Sequence, residues 1–284
     1  MKIYQRSTGQ YLEEAEYGGG ALRFLYETAP GRVLLRLAVD PRVSRARARY
    51  QRSEKSKKDI LPFAERYGVE LTGYDADAFS CFNDFFTRRR DVRTDARPDE
   101  LVAVADSRLS VFPVSYDLTL TIKHSRYTLR ELTGETFDLA PFAGGHILVF
   151  RLAVQDYHRY VFPDSGHIVR SARIPGVLHT VRPISERYRV YARNTRVCTL
   201  LDTDHFGPVL QLEVGAMLVG AIRNHPVRRF SRLDEKGYFE YGGSTVLLVV
   251  PKAVQIDGDL IKQSRLGFET QVNIGEIIGG TETC

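Results

Sequence analysis

A serine that could act as a nucleophile lies between two glycines and an apolar segment. The sequence Gly242-Gly243-Ser244-Thr245 is followed by valines and leucines through Val250, which predicts a strand over 245–250 buried on both faces. Two glycines indicate a turn, and they let the Gly243 carbonyl adopt a strained geometry without a Cβ clash. Because a serine hydroxyl is a weak nucleophile, it needs a base. Ser244 is therefore either a turn residue or a reactive residue whose base lies elsewhere in the chain.

Two other polar groups interrupt apolar sequence, and the pattern predicts that both lie within strands. Asp106 follows Val104 and Ala105, and the second group is Asp156-Tyr157-His158-Arg159-Tyr160. A carboxylate inside an apolar strand is costly unless it is paired, so Asp106 is a candidate functional acid; the alternative is a turn between two strands. His158 is a candidate for proton transfer, and its alternative is a core histidine bonded to the backbone.

Other common kinds of site find no support in the sequence. The seven histidines form no HxH, HExxH or HxxxH pair, and the three cysteines are far apart without a CxxC pair, so we expect no metal. A phosphate-binding GxxxxGK[ST] loop and a G-x-S-x-G elbow are both missing. The cysteine usage favours a reducing compartment.

The elements that must position these residues change character near residue 100. Residues 30–90 are predicted to be helical: Asp40 caps one helix, Asp59 caps a second that ends at Gly68, and phenylalanines at 79, 82, 85 and 86 repeat the helical spacing. From Leu101 onward the pattern is of period two with near-continuous apolar runs. We expect an α+β fold, with an N-terminal helical layer (1–100) on a large, mainly antiparallel β domain (101–284).

A basic stretch lies in the first region. Eight basic residues between 41 and 58 face one acid, Glu54, and an apolar segment at 33–39 precedes them; they are Arg42, Arg45, Arg47, Arg49, Arg52, Lys55, Lys57 and Lys58. An anionic membrane surface, a nucleic acid and a plain solvated helix face all fit this charge. We expect no signal peptide and no spanning helix, hence a soluble or peripherally bound intracellular protein.

Five segments, in order along most of the chain, resemble motifs of the phosphatidylserine decarboxylase proenzymes. They are Phe82–Arg89 (FNDFFTR), Ala105-Asp106 (P-x-D), Asp156–Arg159 (DYHR), Val214–Gly220 (VGAxxVG) and Gly242–Thr245 (GGST). The first and fourth, at these distances from GGST, make the resemblance specific.

The resemblance implies a self-processing enzyme. Ser244 would attack the Gly243 carbonyl, the chain would split into a β chain (1–243) and an α chain (244–284), and Ser244 would become a covalent pyruvoyl group, with no metal. Asp106 would orient a histidine in a charge relay, and His158 would reprotonate the product. The reaction implied is phosphatidylserine to phosphatidylethanolamine and carbon dioxide. The two chains would form an α/β heterodimer or a homo-oligomer of it. The basic stretch would then hold this assembly on the anionic cytoplasmic face of the cell membrane as a peripheral protein. No nucleic-acid partner is expected.

The sequence departs from the family pattern at two positions. Many members carry a second histidine where this chain has Val161, so either His158 serves twice or His179 substitutes for it. Ser107 follows Asp106 where many members have glycine. Two alternatives stay open at this point: a pyruvoyl decarboxylase of soluble amino acids or their conjugates, and an uncleaved lipid-binding member.

Overall fold

The computed structural model describes residues 2–14, 19–134, 137–218, 221–242 and 244–281. Gly243, Val219, Gly220 and Cys284 lie outside the described residues. Within these ranges the α-helices are α1 (Gly19–Glu27), α2 (Ala29–Ala38), α3 (Pro41–Gln51), α4 (Ile60–Tyr67), α5 (Phe82–Phe86), α6 (Leu129–Thr133), α7 (Val190–Arg193) and α8 (Gly258–Arg265). Short 3-10 helices span Glu54–Asp59, Ala76–Ala78, Ala140–Phe142 and Pro183–Tyr188.

The strands of the described residues follow in chain order. They are β1 (Lys2–Gln5), β2 (Gln10–Glu13), β3 (Glu100–Val102), β4 (Ser107–Pro113), β5 (Thr119–Ile122), β6 (Ser125–Thr128), β7 (His146–Leu152), β8 (Arg159–Val161), β9 (Gly166–Ile174), β10 (Arg196–Thr203), β11 (Gly207–Val214), β12 (Ile222–Asn224), β13 (Arg229–Phe230), β14 (Glu235–Phe239), β15 (Ser244–Val250), β16 (Gln255–Ile256), β17 (Glu269–Val272) and β18 (Ile277–Gly280).

One large sheet organises the molecule, and the α+β class predicted from the sequence is confirmed. Its ten strands run in the order β13-β9-β10-β11-β15-β7-β4-β17-β1-β2. The pairings are antiparallel except for the parallel pair β1–β17. The first strands of the chain therefore join the β domain, while the helices α1–α5 form the predicted N-terminal layer.

The strand β15 is buried on both faces, as its apolar sequence predicts. Val246, Leu248 and Val250 pack into the core on one face of the sheet, and Leu247 and Val249 pack into the core on the other. Alternate side chains of a strand point to opposite faces, so a strand between two cores must be apolar throughout. β15 begins at Ser244, one residue earlier than predicted.

The two predicted helix caps have different outcomes. Asp40 caps α3 as expected, because its carboxylate accepts a hydrogen bond from the Arg42 N–H at 2.7 Å. Asp59 makes no capping bond, so that prediction was wrong. It has helical dihedral angles at the end of the 3-10 turn, and its carboxylate instead accepts from the Tyr50 hydroxyl at 3.0 Å. Gly68 ends α4 in the left-handed conformation, as predicted.

The two polar groups lie at strand ends, which corrects the prediction that they lie inside strands. Asp106 occupies the bend between β3 and β4, and Asp156 to His158 lie between β7 and β8. Strand ends leave backbone N–H groups without ladder partners. Two of these, Ile274 N and Ala153 N, donate to Asp106 and Asp156 at 2.8 Å each. Both carboxylates are thus stabilised without interrupting a ladder.

Candidate active site

Ser244 is held at the start of a central strand. It is fully buried and pairs in register with Leu152 of β7, while the next residue, Thr245, pairs with Val214 of β11. Gly242, two residues before Ser244, has φ +133°, a value that L side chains rarely adopt. Two neighbouring strands therefore fix the serine backbone, and a glycine conformation leads the chain into it.

His158 is the histidine that the fold brings to Ser244. The chain leaves β7 after Leu152, the register partner of Ser244, so the following turn lies beside the start of β15. The Ser244 Oγ is 3.5 Å from His158 Nδ1, at the long end of hydrogen-bond range. Small movements bring such a pair into a productive hydrogen bond in many active sites.

Packing orients the His158 imidazole. The ring stacks on Phe86 of α5, with centroids 4.1 Å apart and planes 24° from parallel. Phe86 in turn belongs to a buried aromatic cluster with Phe63, Phe82 and Tyr241. Nε2 of His158 is buried and makes no hydrogen bond within the described residues. The helix of the FNDFFTR motif therefore supports the ring that faces the serine.

Burial keeps His158 uncharged. Desolvation first, and the positive charge of Arg88 second, lower the pKa of His158 to about 3, against a small opposing effect from the backbone of Val154 and Ala153. At neutral pH the ring is a neutral base, and in the tautomer protonated at Nε2 its Nδ1 can accept the Ser244 proton. The pair thus has the composition and charge state of a nucleophile with its general base.

Asp106 lies apart from this pair. Its carboxylate accepts from Arg90 Nη2 at 2.7 Å and from the Ile274 N–H, and among the described residues it bonds to no histidine. Asp106 and Arg88 interact electrostatically, as do Arg88 and His158. Asp106 therefore has no direct contact with the pair among the described residues, and Arg88 interacts with both the acid and His158.

His179 also lies elsewhere. Its ring stacks on Tyr188, with centroids 4.5 Å apart, and Nδ1 is 3.1 Å from the Tyr26 hydroxyl. Burial, followed by the charge of Arg193, lowers the pKa of His179 to about 4. Its carbonyl accepts from Met217 N at 3.2 Å, which links it to the Val214–Leu218 part of the VGAxxVG segment. No bond joins His179 to Ser244 within the described residues.

The remaining motif positions serve the fold. Val161 is buried in β8, where its carbonyl accepts from Gln211 Nε2 at 3.1 Å, and it offers no base. Arg159 pairs with Glu235 at 2.6 Å and donates to the Thr87 carbonyl at 2.8 Å. The guanidinium of Arg159 therefore forms a salt bridge within the protein.

Sequence reasoning missed Arg88, although it lies within the FNDFFTR motif. Its guanidinium lies over the rings of Tyr74 and Phe85, and burial lowers its pKa. It pairs with no carboxylate in the described part of the chain, and it lines a cavity of 420 Å³ together with Asp106 and Tyr157. Its position inside the FNDFFTR motif was the sequence signal that could have identified it.

Neither a metal centre nor a spanning helix is found where the structure describes the chain. No three His, Cys, Asp or Glu side chains of the described ranges cluster as metal ligands would. None of the described helices has the length and apolar character that crossing a bilayer requires.

Comparison with known proteins identifies relatives over nearly the whole chain. The profile of the family described as phosphatidylserine decarboxylase matches residues 82–280. A phosphatidylserine decarboxylase proenzyme 2 of Clostridium acetobutylicum is 41% identical, with 99% of each chain covered. The proenzymes of Clostridium perfringens and Chlamydia pneumoniae are 36% and 37% identical, over 98% of this chain and 99% and 96% of theirs.

Proposed function

This chain belongs to the phosphatidylserine decarboxylase family, and from that membership we propose that it makes its own pyruvoyl group by cutting between Gly243 and Ser244. The enzyme converts phosphatidylserine to phosphatidylethanolamine and carbon dioxide. The observation that carries the proposal is the buried Ser244 Oγ facing the neutral Nδ1 of His158 at 3.5 Å.

The proposed cleavage proceeds in three balanced steps. His158 accepts the Ser244 proton, and Oγ bonds to the Gly243 carbonyl carbon. The 243–244 C–N bond then breaks as the proton passes from His158 to the nitrogen of residue 244, which leaves an ester and a free amine. Loss of the Ser244 Cα proton then breaks the Cβ–Oγ bond, so that Gly243 departs as a carboxylate and residue 244 becomes dehydroalanine. Hydrolysis of the dehydroalanine then releases the nitrogen of residue 244 as ammonia, and a pyruvoyl group is left at the start of the α chain.

The residues around Ser244 fit this cofactor. A pyruvoyl group supplies an electron sink for the pair released when the substrate carboxylate departs. His158 lies against the residue that would carry the group, so we assign it both the cleavage base and the proton return to the product. Asp106 acts as a positioning residue through Arg88 and Arg90, and His179 stays the alternative base.

We also propose that the N-terminal layer docks on the cytoplasmic face of a membrane. The α2 side chains Val33, Leu34 and Leu37 are 63%, 50% and 66% exposed, while Leu35 and Val39 of the same apolar segment are buried. An exposed apolar row beside the basic helix α3 suits an anionic membrane surface. Among the described cysteines, Cys81 and Cys198 are free, as in a reducing compartment.

Intact-mass measurement of the purified protein tests the cleavage. We expect two species, residues 1–243 and residues 244–284 with a pyruvoyl N-terminus, and decarboxylation of phosphatidylserine but not of free serine. Ser244→Ala should remain one chain without activity, and Thr245→Ser serves as a control that keeps the reactive hydroxyl. A folded wild-type protein that stays in one piece would refute the proposal.

A further inference from the structure

A second cavity is lined by arginines that are distant in sequence. It has a volume of 340 Å³ and lies between α3, the end of β9 and the start of β12. We call it the arginine cleft, and its charged lining is Arg45, Arg49, Arg52, Arg173 and Arg223. Leu178 and Ile222 give it an apolar wall. Two of the five arginines lie outside the basic stretch at 41–58, so the fold and not the local sequence creates this concentration of charge.

The charge in the arginine cleft is far from balanced. No acidic side chain lines it. Behind the lining, the buried Glu240 pairs with Arg52 and, at 3.0 Å, with Arg223. Arg45, Arg49 and Arg173 have no carboxylate within salt-bridge distance among the described residues. Clustered like charges repel one another, and their energy is lowered when a concave, partly apolar site admits an anion.

The wall of the cleft contacts the chain where α2 ends. Val39 follows α2 directly, and its carbonyl accepts a hydrogen bond at 2.8 Å from the N–H of Leu178, which is part of the cleft wall. The helix that carries the exposed apolar row therefore ends beside the wall of the arginine cleft. A lipid whose acyl chains lie in the bilayer could then reach the cleft with its headgroup.

We propose that the arginine cleft binds the phosphate diester of a phospholipid headgroup in the membrane on which α2 docks. Guanidinium groups match phosphate oxygens through paired N–H donors, and the apolar wall accommodates the glycerol carbons beside the phosphate. The proposal rests on the membrane docking in the proposed function. It adds one defined lipid-binding site per protein molecule to that docking. A diffuse basic surface would instead depend on total charge alone.

Arg173→Gln and Arg170→Gln form the decisive pair. Both residues are in β9 and each variant removes one charge, but residues three apart on a strand face opposite sides of the sheet. Arg170 lies over the ring of Phe137, 5.9 Å from its centroid, and does not line the cleft. We expect Arg173→Gln to weaken binding to phosphatidylcholine vesicles containing phosphatidylglycerol about five- to tenfold, and Arg170→Gln less than twofold.

The measurement is vesicle sedimentation at fixed salt, with intact mass showing that each variant still cleaves and is folded. A second pair of variants serves if the first pair does not fold. Arg45→Gln removes a charge from the cleft, and Arg47→Gln is its control, because Arg47 stacks on Tyr50 and does not line the cleft. Equal effects within both pairs would overturn the cleft and leave docking intact. If the wild-type protein does not bind vesicles, the proposed membrane docking is wrong, and so is the assignment of the cleft as a lipid site. Tight binding of inorganic phosphate without vesicle binding would identify a soluble anion instead.

Discussion

At the residue scale, Ser244 and His158 share an environment in which neither side chain carries a charge. Both are fully buried, and Arg88 adds its positive charge to the desolvation that holds the imidazole neutral. A cationic ring could not accept the serine proton. The same burial that makes a histidine costly to protonate therefore makes this one a base at any pH near neutrality.

Replacing each histidine by glutamine separates the two candidate bases. We expect His158→Gln to slow self-cleavage about 10²- to 10⁴-fold, the usual contribution of a general base. His179→Gln should cleave at the wild-type rate and lower the free energy of unfolding by about 1–2 kcal/mol, because the bond to Tyr26 is lost. The fraction of cleaved chain against time, on denaturing gels, gives the rates. Slow cleavage in His179→Gln alone would assign the base to His179.

The pH dependence of self-cleavage follows from the lowered pKa of His158. A histidine that titrates near 6.5 would lose about 25-fold of its neutral form between pH 7 and pH 5. With a pKa of about 3, His158 stays neutral over this interval and loses its proton-accepting form only at lower pH. We therefore expect cleavage rates at pH 5 and pH 7 to agree within about twofold, measured on freshly translated precursor. A steep fall below pH 6.5 would contradict the assignment.

At the element scale, the strand β15 positions Ser244 and the short helix α5 packs against His158. Hydrogen bonds to β7 and β11 hold the serine backbone, while the Phe86 face of α5 holds the imidazole. α5 has five residues and is too short to be stable alone. Its contacts with Phe63 and Tyr241 supply the stability, so the helical layer contributes to the proposed active site.

Phe86→Leu tests the role of α5, with Phe82→Leu as the matched control. Both residues are buried in the same cluster, and both variants should lose comparable stability. Phe86 alone stacks on His158, and aromatic pairs of this kind are worth about 0.5–1.5 kcal/mol. We expect Phe86→Leu to slow self-cleavage about two- to tenfold and Phe82→Leu to leave it unchanged, as timed on gels. Equal slowing in both would attribute the effect to general loosening.

At the scale of the whole molecule, the sheet connects the two proposed chains. β15 and β17 of the α chain pair with β7, β11, β4 and β1 of the β chain. Arg6 reaches Asp257 and Asp259 at 2.7 and 2.8 Å, and the buried Arg151 reaches Glu269 at 2.6 Å. The proposed cut precedes β15 and would leave every one of these contacts intact.

The cleaved protein should therefore behave as one particle. We expect residues 1–243 and 244–284 to co-elute in size exclusion without denaturant, because separating them would break central ladders and expose both cores. In guanidinium chloride the two pieces should part. Free α chain under native conditions would show that the central strand does not hold the product together.

The sequence by itself predicted the α+β class, the doubly buried strand after Ser244 and the cap at Asp40. It also identified the candidate reactive side chains. These depend on local properties such as periodicity, burial preference and cap chemistry. The predicted cap at Asp59 and the predicted positions of Asp106 and of residues 156–158 inside strands were wrong. The partners of these side chains, such as Tyr50 for Asp59 and Ile274 for Asp106, come from other parts of the chain.

Only the tertiary structure shows which of the two candidate histidines lies beside Ser244. β7 pairs with β15 so that Leu152 is the register partner of Ser244, and the turn after β7 places His158 next to the serine. The arginine cleft has the same origin, since Arg45 and Arg173 meet only where α3 crosses the end of β9. Strand register and helix packing are long-range contacts, and local pattern carries no information about which distant residues they join.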